Sequence, residues 1–542
     1  MHLFTTVAAL RCYLRLRRSE NHCLGQAALS SDKASLSKTT VALVPTMGAL
    51  HAGHLSLLQR ARQENGTVIV SIFVNPLQFG PSEDYQRYPR KLDQDRQLCE
   101  QAGVDAIFAP TAEEMGLASE GRSEISASSF ILHPSSFTQV VPPASMTSVL
   151  CGRSRPGHFQ GVATIVTKLF NLVHPDRAYF GQKDAQQLAI IQRLVKDLNL
   201  SLEIVACPTV RAASGLALSS RNQYLTIEQM KQATALYRGL QRAEQAFQAG
   251  ERLGIALIEA VKTELVVSAV KIEYVELVHP TTLMPLEKVE EVGLLAIAAR
   301  VGNTRLIDNI ILRDRQPIVA IDGPAGVGKS TVTRQVAHIL GLVYLDTGAM
   351  YRALTWLVLQ LGISVEDRCA IAELASNCQI QLAPSTDLEQ PGRIWINGQE
   401  VTQAIRSVEV TSQVSAIAAQ PAVRQAMVQQ QQRWGQKGGL VAEGRDIGTT
   451  VFPDADLKIF LTASVQERAR RRQQDFQEQG LADVSLEQLE RDIAERDWKD
   501  STREVAPLQK AADAIEIQTD SLGVAEVAAK IVDCYYKRLS HR

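Results

Sequence analysis

The stretch Ile318-Val-Ala-Ile-Asp-Gly-Pro-Ala-Gly-Val-Gly-Lys-Ser-Thr331 sets the organisation of this chain. Ile318 to Ile321 is a short apolar, mostly β-branched run, which predicts a buried strand. Gly323, Pro324, Ala325, Gly326, Val327, Gly328, Lys329 and Ser330 then match G-x-x-x-x-G-K-[ST] in full, and Thr331 continues them. Val332, Val336 and Ile339 fall on one helical face, with Gly341 placed to end that helix. Strand, loop and helix therefore come in the order the motif needs. The glycines let backbone N–H groups turn inward around phosphate oxygens, and the helix N-terminus adds partial positive charge. Lys329 is placed to reach the β- and γ-phosphates, and the Ser330 hydroxyl is the expected ligand of nucleotide-bound Mg2+. Such a loop follows the first strand of its domain. A domain therefore starts near Gln316, and something else precedes it.

At 542 residues the chain is too long for one core, and a length of this order implies roughly two to four domains. With 57 basic and 58 acidic residues the net charge is -1. That balance supplies no overall field for nucleic acid or an anionic membrane. Eight cysteines are scattered without a C-x-x-C pair, which predicts a cytoplasmic, reducing environment with neither disulfides nor a structural zinc. No window has the apolar length of a transmembrane helix. Leu3 to Leu16, with Arg11 and Arg15 inside it, reads as a short amphipathic helix, not a secretory signal. Ala27–Thr40 reads as a loop inserted before the first sheet strand.

That strand is expected at Val41–Val44. It leads into Pro45-Thr-Met-Gly-Ala-Leu-His51-Ala-Gly53-His54 and then a helix carrying Leu55, Leu57 and Leu58. H-x-G-H at a strand-to-helix turn puts two imidazoles one helical turn apart, where they can donate hydrogen bonds to phosphate oxygens. Further strands are expected at Thr67–Val74, which ends in Asn75-Pro-Leu-Gln78-Phe-Gly80, and at Ala106–Ala109, Ala178–Phe180 and Leu202–Ala206. Strands alternating with helices argue a doubly wound parallel sheet, whose ligands bind at the carboxyl edge. Residues 226–265 read as helical, and Lys271–Val278 and Arg305–Leu312 alternate as strands do, which suggests a small α+β domain.

The segments Pro45–His54, Phe73–Gly80, Gly157–Gly161, Phe180–Gln187 and Gly215–Asn222, in that order, resemble the pantothenate synthetase family (pantoate–β-alanine ligases) of the H-x-G-H nucleotidyltransferases. The resemblance implies a reaction through a pantoyl-adenylate. Carried over by position, it implies that Met47, Gly48, Ala49, Leu50, His51, Ala52, Gly53 and His54 bind ATP, with His54 as proton donor. Gly181, Gln182, Lys183 and Asp184 would hold ribose and phosphates. Val210, Leu218, Ser219, Ser220 and Arg221 would complete the ATP site. Asn75, Gln78 and Gln187 would hold pantoate and β-alanine. Ala212 and Ser214 stand where that family usually has acidic residues.

After the P-loop come Asp346-Thr347 to Arg352, an insertion at 376–420, the run Glu443-Gly444-Arg445-Asp446, arginines Arg468, Arg471 and Arg472 on a helix, and Asp500-Ser-Thr-Arg503. This half is similar to the cytidylate kinase family. The similarity implies phosphoryl transfer from ATP to CMP or dCMP. Thr347, Arg352, Arg445, Asp446, Asp500 and Arg503 would bind CMP, and the three helix arginines would form a lid over the phosphoryl group.

The expected architecture is α/β throughout. A doubly wound H-x-G-H nucleotidyltransferase (Rossmann-like) domain spans 1–210, a small closing α+β domain 211–313, and a P-loop nucleoside monophosphate kinase domain 317–542. His51, His54, Lys183 and Lys329 are the expected catalytic residues. The expected partners are ATP with Mg2+, pantoate, β-alanine and CMP or dCMP, with no prosthetic group, nucleic acid or membrane, and a homo-oligomer through the first half. The residues by themselves also allow a plain nucleotidyltransferase beside another small-molecule kinase, or a P-loop half acting as a nucleotide-gated regulator.

Overall fold

Six strands lie side by side in the order His2–Phe4, Ala106–Phe108, Thr67–Ile72, Val41–Thr46, Arg177–Gly181 and Glu203–Cys207, every neighbouring pair parallel. The two central strands are apolar without alternation because both faces are covered. Leu43 and Ile69 pack with Leu10, Leu14, Val162 and Leu169 on one face. Ala42, Val44, Val68 and Val70 pack with Leu57, Leu58, Ala61 and Cys99 on the other. The computed structural model describes residues 1–27, 40–80, 85–117, 137–383, 392–478, 485–502 and 506–540. Within them the chain divides into two units, Met1–Asp314 and Arg315–Arg542.

The N-terminus differs from its reading. His2–Phe4 is an edge strand of the sheet, so the sheet begins before Val41. The helix that follows runs from Val7 to Ala27 and buries Leu10, Tyr13 and Leu14 against the sheet. Three residues are too few to display a period, and the helix gains its place from tertiary packing. Residues 28–39 of the expected insertion lie outside the described residues.

Within the same unit, Lys271–Val278, Val292–Val301 and Thr304–Arg313 form an antiparallel sheet. Its central strand is buried on both sides. Leu295, Ile297 and Ala299 face helices Ala235–Gln248 and Gly254–Val267. Leu294, Ala296 and Ala298 pack with Met146, Leu150, Phe159 and Ile190. The helical run expected over 226–265 is three helices, the first being Ile227–Ala233.

The second unit has five parallel strands in the order Val343–Asp346, Leu440–Gly444, Ile318–Asp322, Leu457–Thr462 and Ile515–Gln518. The strand entering the P-loop is central and fully buried. Helix Lys329–Leu340 ends on Gly341, which is left-handed. It buries Val332 and Val336, but Ile339 is exposed, and Ala337 and Leu340 complete the packed face instead. The expected insertion holds a three-stranded antiparallel sheet, Ile380–Ala383, Arg393–Ile396 and Gln399–Glu400, followed by helix Val408–Ala418. Among the described residues no helix is long and apolar enough to cross a membrane.

Candidate active sites

In the first unit, strand Val41–Thr46 runs into a turn where Gly48 (φ 82°) and Ala49 (φ 52°) are both left-handed. His51 is the N-cap of helix Ala52–Glu64, and its Nδ1 accepts the Gly53 N–H at 3.1 Å. The neutral ring therefore carries its proton on Nε2. The His54 N–H donates to the His51 carbonyl at 2.8 Å, and the two ring centroids are 4.2 Å apart. His54 Nδ1 is buried and has no hydrogen-bonding partner among the described residues.

Both imidazoles line a cavity of about 280 Å3 at the carboxyl edge of the six-stranded sheet. Of the other residues expected at this site, Met47, Gly53, Asn75, Gln78, Gly181, Lys183, Asp184, Gln187, Val210, Leu218, Ser219, Ser220 and Arg221 also line it. Gly48, Ala49, Leu50, Ala52 and Gln182 do not; they belong to the turns that carry the lining residues. Asn75 is buried, and its Nδ2 donates to Gln78 Oε1 and to the Gly161 carbonyl, each at 3.1 Å. A Cβ on Gly161 would stand 2.4 Å from the Leu77 carbonyl oxygen, so glycine is what lets helix His158–Val173 approach this loop. The Gln78 carbonyl receives His158 Nδ1 at 2.7 Å and Arg155 Nη2 at 3.2 Å. Asn309, from the antiparallel sheet, donates through Nδ2 to the carbonyls of Gln182 (3.0 Å) and Lys183 (2.8 Å). The Ser219 hydroxyl accepts the Arg221 N–H at 3.3 Å, and Ser220 Oγ lies 3.2 Å from the Tyr88 hydroxyl. Despite Ala212 and Ser214, the neighbouring loop is tied down: Arg211 forks Asp308 at 2.6 and 2.9 Å and lies over the Tyr237 ring.

In the second unit Lys329 opens the helix after the P-loop, and its Nζ folds back onto the Pro324 carbonyl at 2.6 Å. Ser330 Oγ donates to Glu443 Oε1 at 2.7 Å, and the Tyr344 hydroxyl donates to the same oxygen at 2.6 Å. Glu443 Oε2 is buried without a partner among the described residues. A hydroxyl and a spare carboxylate oxygen beside a phosphate loop fit a hard cation such as Mg2+. Thr347 donates to the Glu443 carbonyl at 2.7 Å, and Arg352 pairs with Asp346 at 3.3 Å. Arg445 pairs with Asp500 at 2.9 Å. Asp446 pairs with Arg424 at 2.5 Å, both buried. Arg468 donates to the Ala325 carbonyl at 3.1 Å and meets Asp497, while Arg471 reaches the Val327 carbonyl at 3.4 Å and Thr519. Two of the three expected lid arginines therefore brace the phosphate loop, and Arg472 lies over the Phe476 ring. Arg503 lies outside the described residues.

The family model of pantoate–β-alanine ligase matches residues 21–311, and that of cytidylate kinase matches 319–537. The curated bifunctional pantoate ligase/cytidylate kinase of Trichormus variabilis is 69% identical over 542 residues, covering all of both chains. That of Trichodesmium erythraeum is 55% identical over 539 residues, 99% of this chain and 97% of its own. A crystal structure of pantothenate synthetase from Thermus thermophilus is 43% identical, with a TM-score of 0.48, over 57% of this chain and 99% of that one. The chain belongs to the bifunctional pantoate ligase/cytidylate kinase family. Its two units are a pantoate–β-alanine ligase and a cytidylate kinase.

The electrostatics of the two sites differ. In the ligase unit, burial and then the nearby Lys183 ammonium hold His51 down at about 4. Burial, with His51 and Lys183 beside it, takes His54 to about 3. Both rings are therefore neutral N–H donors near neutral pH. In the kinase unit burial depresses Lys329 well below the usual lysine range, and the Arg445 guanidinium adds to this. Burial lifts Asp322 to about 6 and raises Glu443, the latter helped by Asp346.

Several further residues take part in these sites; among them His158 and Glu443 stand inside segments already singled out in the sequence, without a role of their own. Arg155, His158, Asp308 and Asn309 line the ligase cavity. In the kinase, Asp322 accepts the Ile447 and Gly448 N–H groups at 2.7 Å each. Arg424 and Glu443 are buried there, and Arg496 feels Arg445, Arg472 and Arg352. An acid at the end of an apolar strand, as at Asp322 and Glu443, is a local cue to such a residue.

Proposed function

We propose that the ligase unit joins pantoate to β-alanine through a pantoyl-adenylate at the cavity around His51 and His54, and that the kinase unit moves the γ-phosphoryl group of ATP to CMP or dCMP. The observation that carries the ligase reading is convergence. The two neutral imidazoles, the Lys183 ammonium, the Gln78 and Gln187 amides and the Ser219–Arg221 strip, from separate elements, line one cavity. Amides suit a hydroxy acid, whose hydroxyl and carboxylate both need partners. Gln78 and Gln187 hold pantoate so that its carboxylate oxygen attacks the α-phosphorus of ATP, and the bond to the bridging oxygen breaks. Pyrophosphate leaves with its charge met by Ser219, Ser220 and Arg221. His51 and His54 donate N–H hydrogen bonds to the phosphates, so His54 acts as a hydrogen-bond donor. The β-alanine amine then attacks the activated carbonyl, AMP departs and the amide forms. A walled cavity shields the mixed anhydride from water.

In the kinase, Lys329 swings from the Pro324 carbonyl to the β/γ-phosphates. Ser330 and Glu443 would hold the Mg2+ that accompanies ATP, which would supply positive charge against the phosphates. Arg352, Arg445, Asp446 and Asp500 receive CMP. Both readings are tested by incubating the purified chain with ATP and Mg2+ and separating AMP from ADP. AMP should form only when pantoate and β-alanine are both present, and ADP with CMP alone. AMP formed without pantoate, or no ADP with CMP, overturns the corresponding half.

A further inference from the structure

We propose that Asp95 is a positioning residue of the ligase reaction, holding in place the turn that presents the two histidines. Asp95 lies on helix Leu92–Gln101, 1% exposed. Its Oδ2 accepts the Ala49 N–H at 2.9 Å and its Oδ1 the Leu50 N–H at 2.7 Å. It forms no ion pair with another side chain among the described residues. A buried carboxylate is costly unless hydrogen bonds satisfy it, and these two bonds do so, with the Lys91 ammonium nearby adding favourable charge. They fall on an unusual piece of backbone. Gly48 and Ala49 are consecutively left-handed, a region in which alanine is strained. A Cβ on Gly48 would stand 2.9 Å from Asp95 Oδ2, so glycine and carboxylate are fitted to one another.

The bonded residues immediately precede His51, whose own Nδ1 takes the Gly53 N–H. From Gly48 to Gly53 backbone N–H groups are thus held by three side chains, Thr46, whose Oγ1 accepts the Gly48 N–H at 3.2 Å, Asp95, and His51 on the cavity wall. Asp95 does not line the cavity of His51, His54 and Lys183 but a neighbouring one of about 290 Å3, with Met47, Gly48 and Lys91, so its two bonds act on the histidines through the turn. A displacement of the order of 1 Å at reacting groups lowers rates by roughly 100-fold.

The inference rests on the ligase reading above, and pantoate-dependent ATP–pyrophosphate exchange by the unmodified chain tests that reading separately. In Asp95→Asn the amide oxygen still accepts one N–H, but its NH2 opposes the other. The expected result is a fall of roughly 10- to 100-fold in exchange kcat per folded molecule, with the KM for pantoate within about twofold, because Gln78 and Gln187 stand on other elements. Ala49→Gly relieves the strain at the same turn, so Asp95→Asn/Ala49→Gly should recover several-fold of the lost rate. If exchange by the unmodified chain is normal and Asp95→Asn keeps its kcat, the inference fails. It also fails if the loss lies in the KM for pantoate, or if the double variant shows no recovery. Should Asp95→Asn not fold, the double variant is compared with Ala49→Gly alone, and equal kcat values overturn the proposal.

Discussion

Lowering the pH should destabilise the ligase unit before its carboxylates are protonated, because two histidines are held neutral in it. An unfolded histidine titrates near 6.5, whereas His51 and His54 are held at about 4 and about 3. Between those values the unfolded chain binds protons that the folded one refuses, so stability is full above about pH 6.5 and is lost as the pH falls below it. At about pH 5 a group depressed this far contributes roughly 2 kcal/mol, being about 1.5 pH units below its unfolded pKa at 1.36 kcal/mol each. Both rings keep some solvent access through the cavity, so we expect about 2–3 kcal/mol for the pair. The comparison is between the natural chain and His51→Gln/His54→Gln, whose amides do not titrate. Calorimetric unfolding at about pH 7.5 and about pH 5 should show the ligase transition of the natural chain falling further. The kinase transition is identified independently, because Trp356, Trp395, Trp434 and Trp498 all lie in Arg315–Arg542 and none lies in the ligase unit. ATP should narrow the difference, since an anion favours the protonated rings. If the two proteins lose the same stability over this interval, to within about 0.5 kcal/mol, the histidines are not held neutral by burial and the reasoning is wrong.

Lys329→Ala should lower kinase kcat at least about 100-fold and leave pantothenate formation unchanged, measured on one preparation as ADP and AMP yields. Asn309→Ala removes two donors to the Gln182 and Lys183 carbonyls. At about 1 kcal/mol each, the KM for ATP in the ligase reaction should rise roughly 5- to 30-fold, and an unchanged KM would show that the loop needs no such tether. Arg424→Met strands the buried Asp446 carboxylate. The kinase transition should lose about 3–5 kcal/mol, read by tryptophan fluorescence in denaturant, and an undiminished midpoint would contradict the assigned pair.

The doubly wound sheet could be read from the sequence because its central strands are buried on both faces and therefore appear as unbroken apolar runs, as at Val41–Val44 and Ile318–Ile321. The same physics hid Val292–Val301. It too is covered on both faces, but the Gly293-Leu-Leu-Ala-Ile-Ala-Ala run gives no alternation and could equally be helix. His2–Phe4 was hidden by its length, and Thr234 and the segment before Gly254 break a helical run that composition alone does not interrupt. At the sites, the residues that end strands or open helices were legible because turn chemistry and motif spacing are local. Asp95, Asn309, Asp322 and Arg424 were not, because each acts on backbone or charge far along the chain. Asp95 reaches Ala49 over 46 positions, Asn309 reaches Lys183 over 126, and Asp322 reaches Ile447 over 125. No pattern in one sequence records such a pairing.

The two units meet the same electrostatic problem in parallel ways. Each must present donors and cations to a triphosphate while folding without one. The ligase keeps its imidazoles neutral, so His51 and His54 place no charge in the cavity until phosphate arrives. The kinase instead lodges Lys329 against a carbonyl and stations arginines on the outer carbonyls of the phosphate loop. In both, a buried carboxylate gathers two successive backbone N–H groups of a loop next to the reacting groups: Asp95 those of Ala49 and Leu50, Asp322 those of Ile447 and Gly448. Such a carboxylate both fixes the loop and supplies the negative charge that an unliganded anion site lacks. Protonating it removes both effects. Burial lifts Asp322 from 3.8 to about 6, so its ionisation costs the folded state stability as the pH rises through that interval. The ionised form is nonetheless the one that accepts two N–H bonds, and this tie on the loop is lost as the pH falls through about 6. CMP turnover should therefore decline between about pH 7 and pH 5 in a way that Asp322→Asn abolishes, whatever its residual rate. A profile equally steep in that variant would place the titrating group elsewhere and leave Asp322 a purely structural tie.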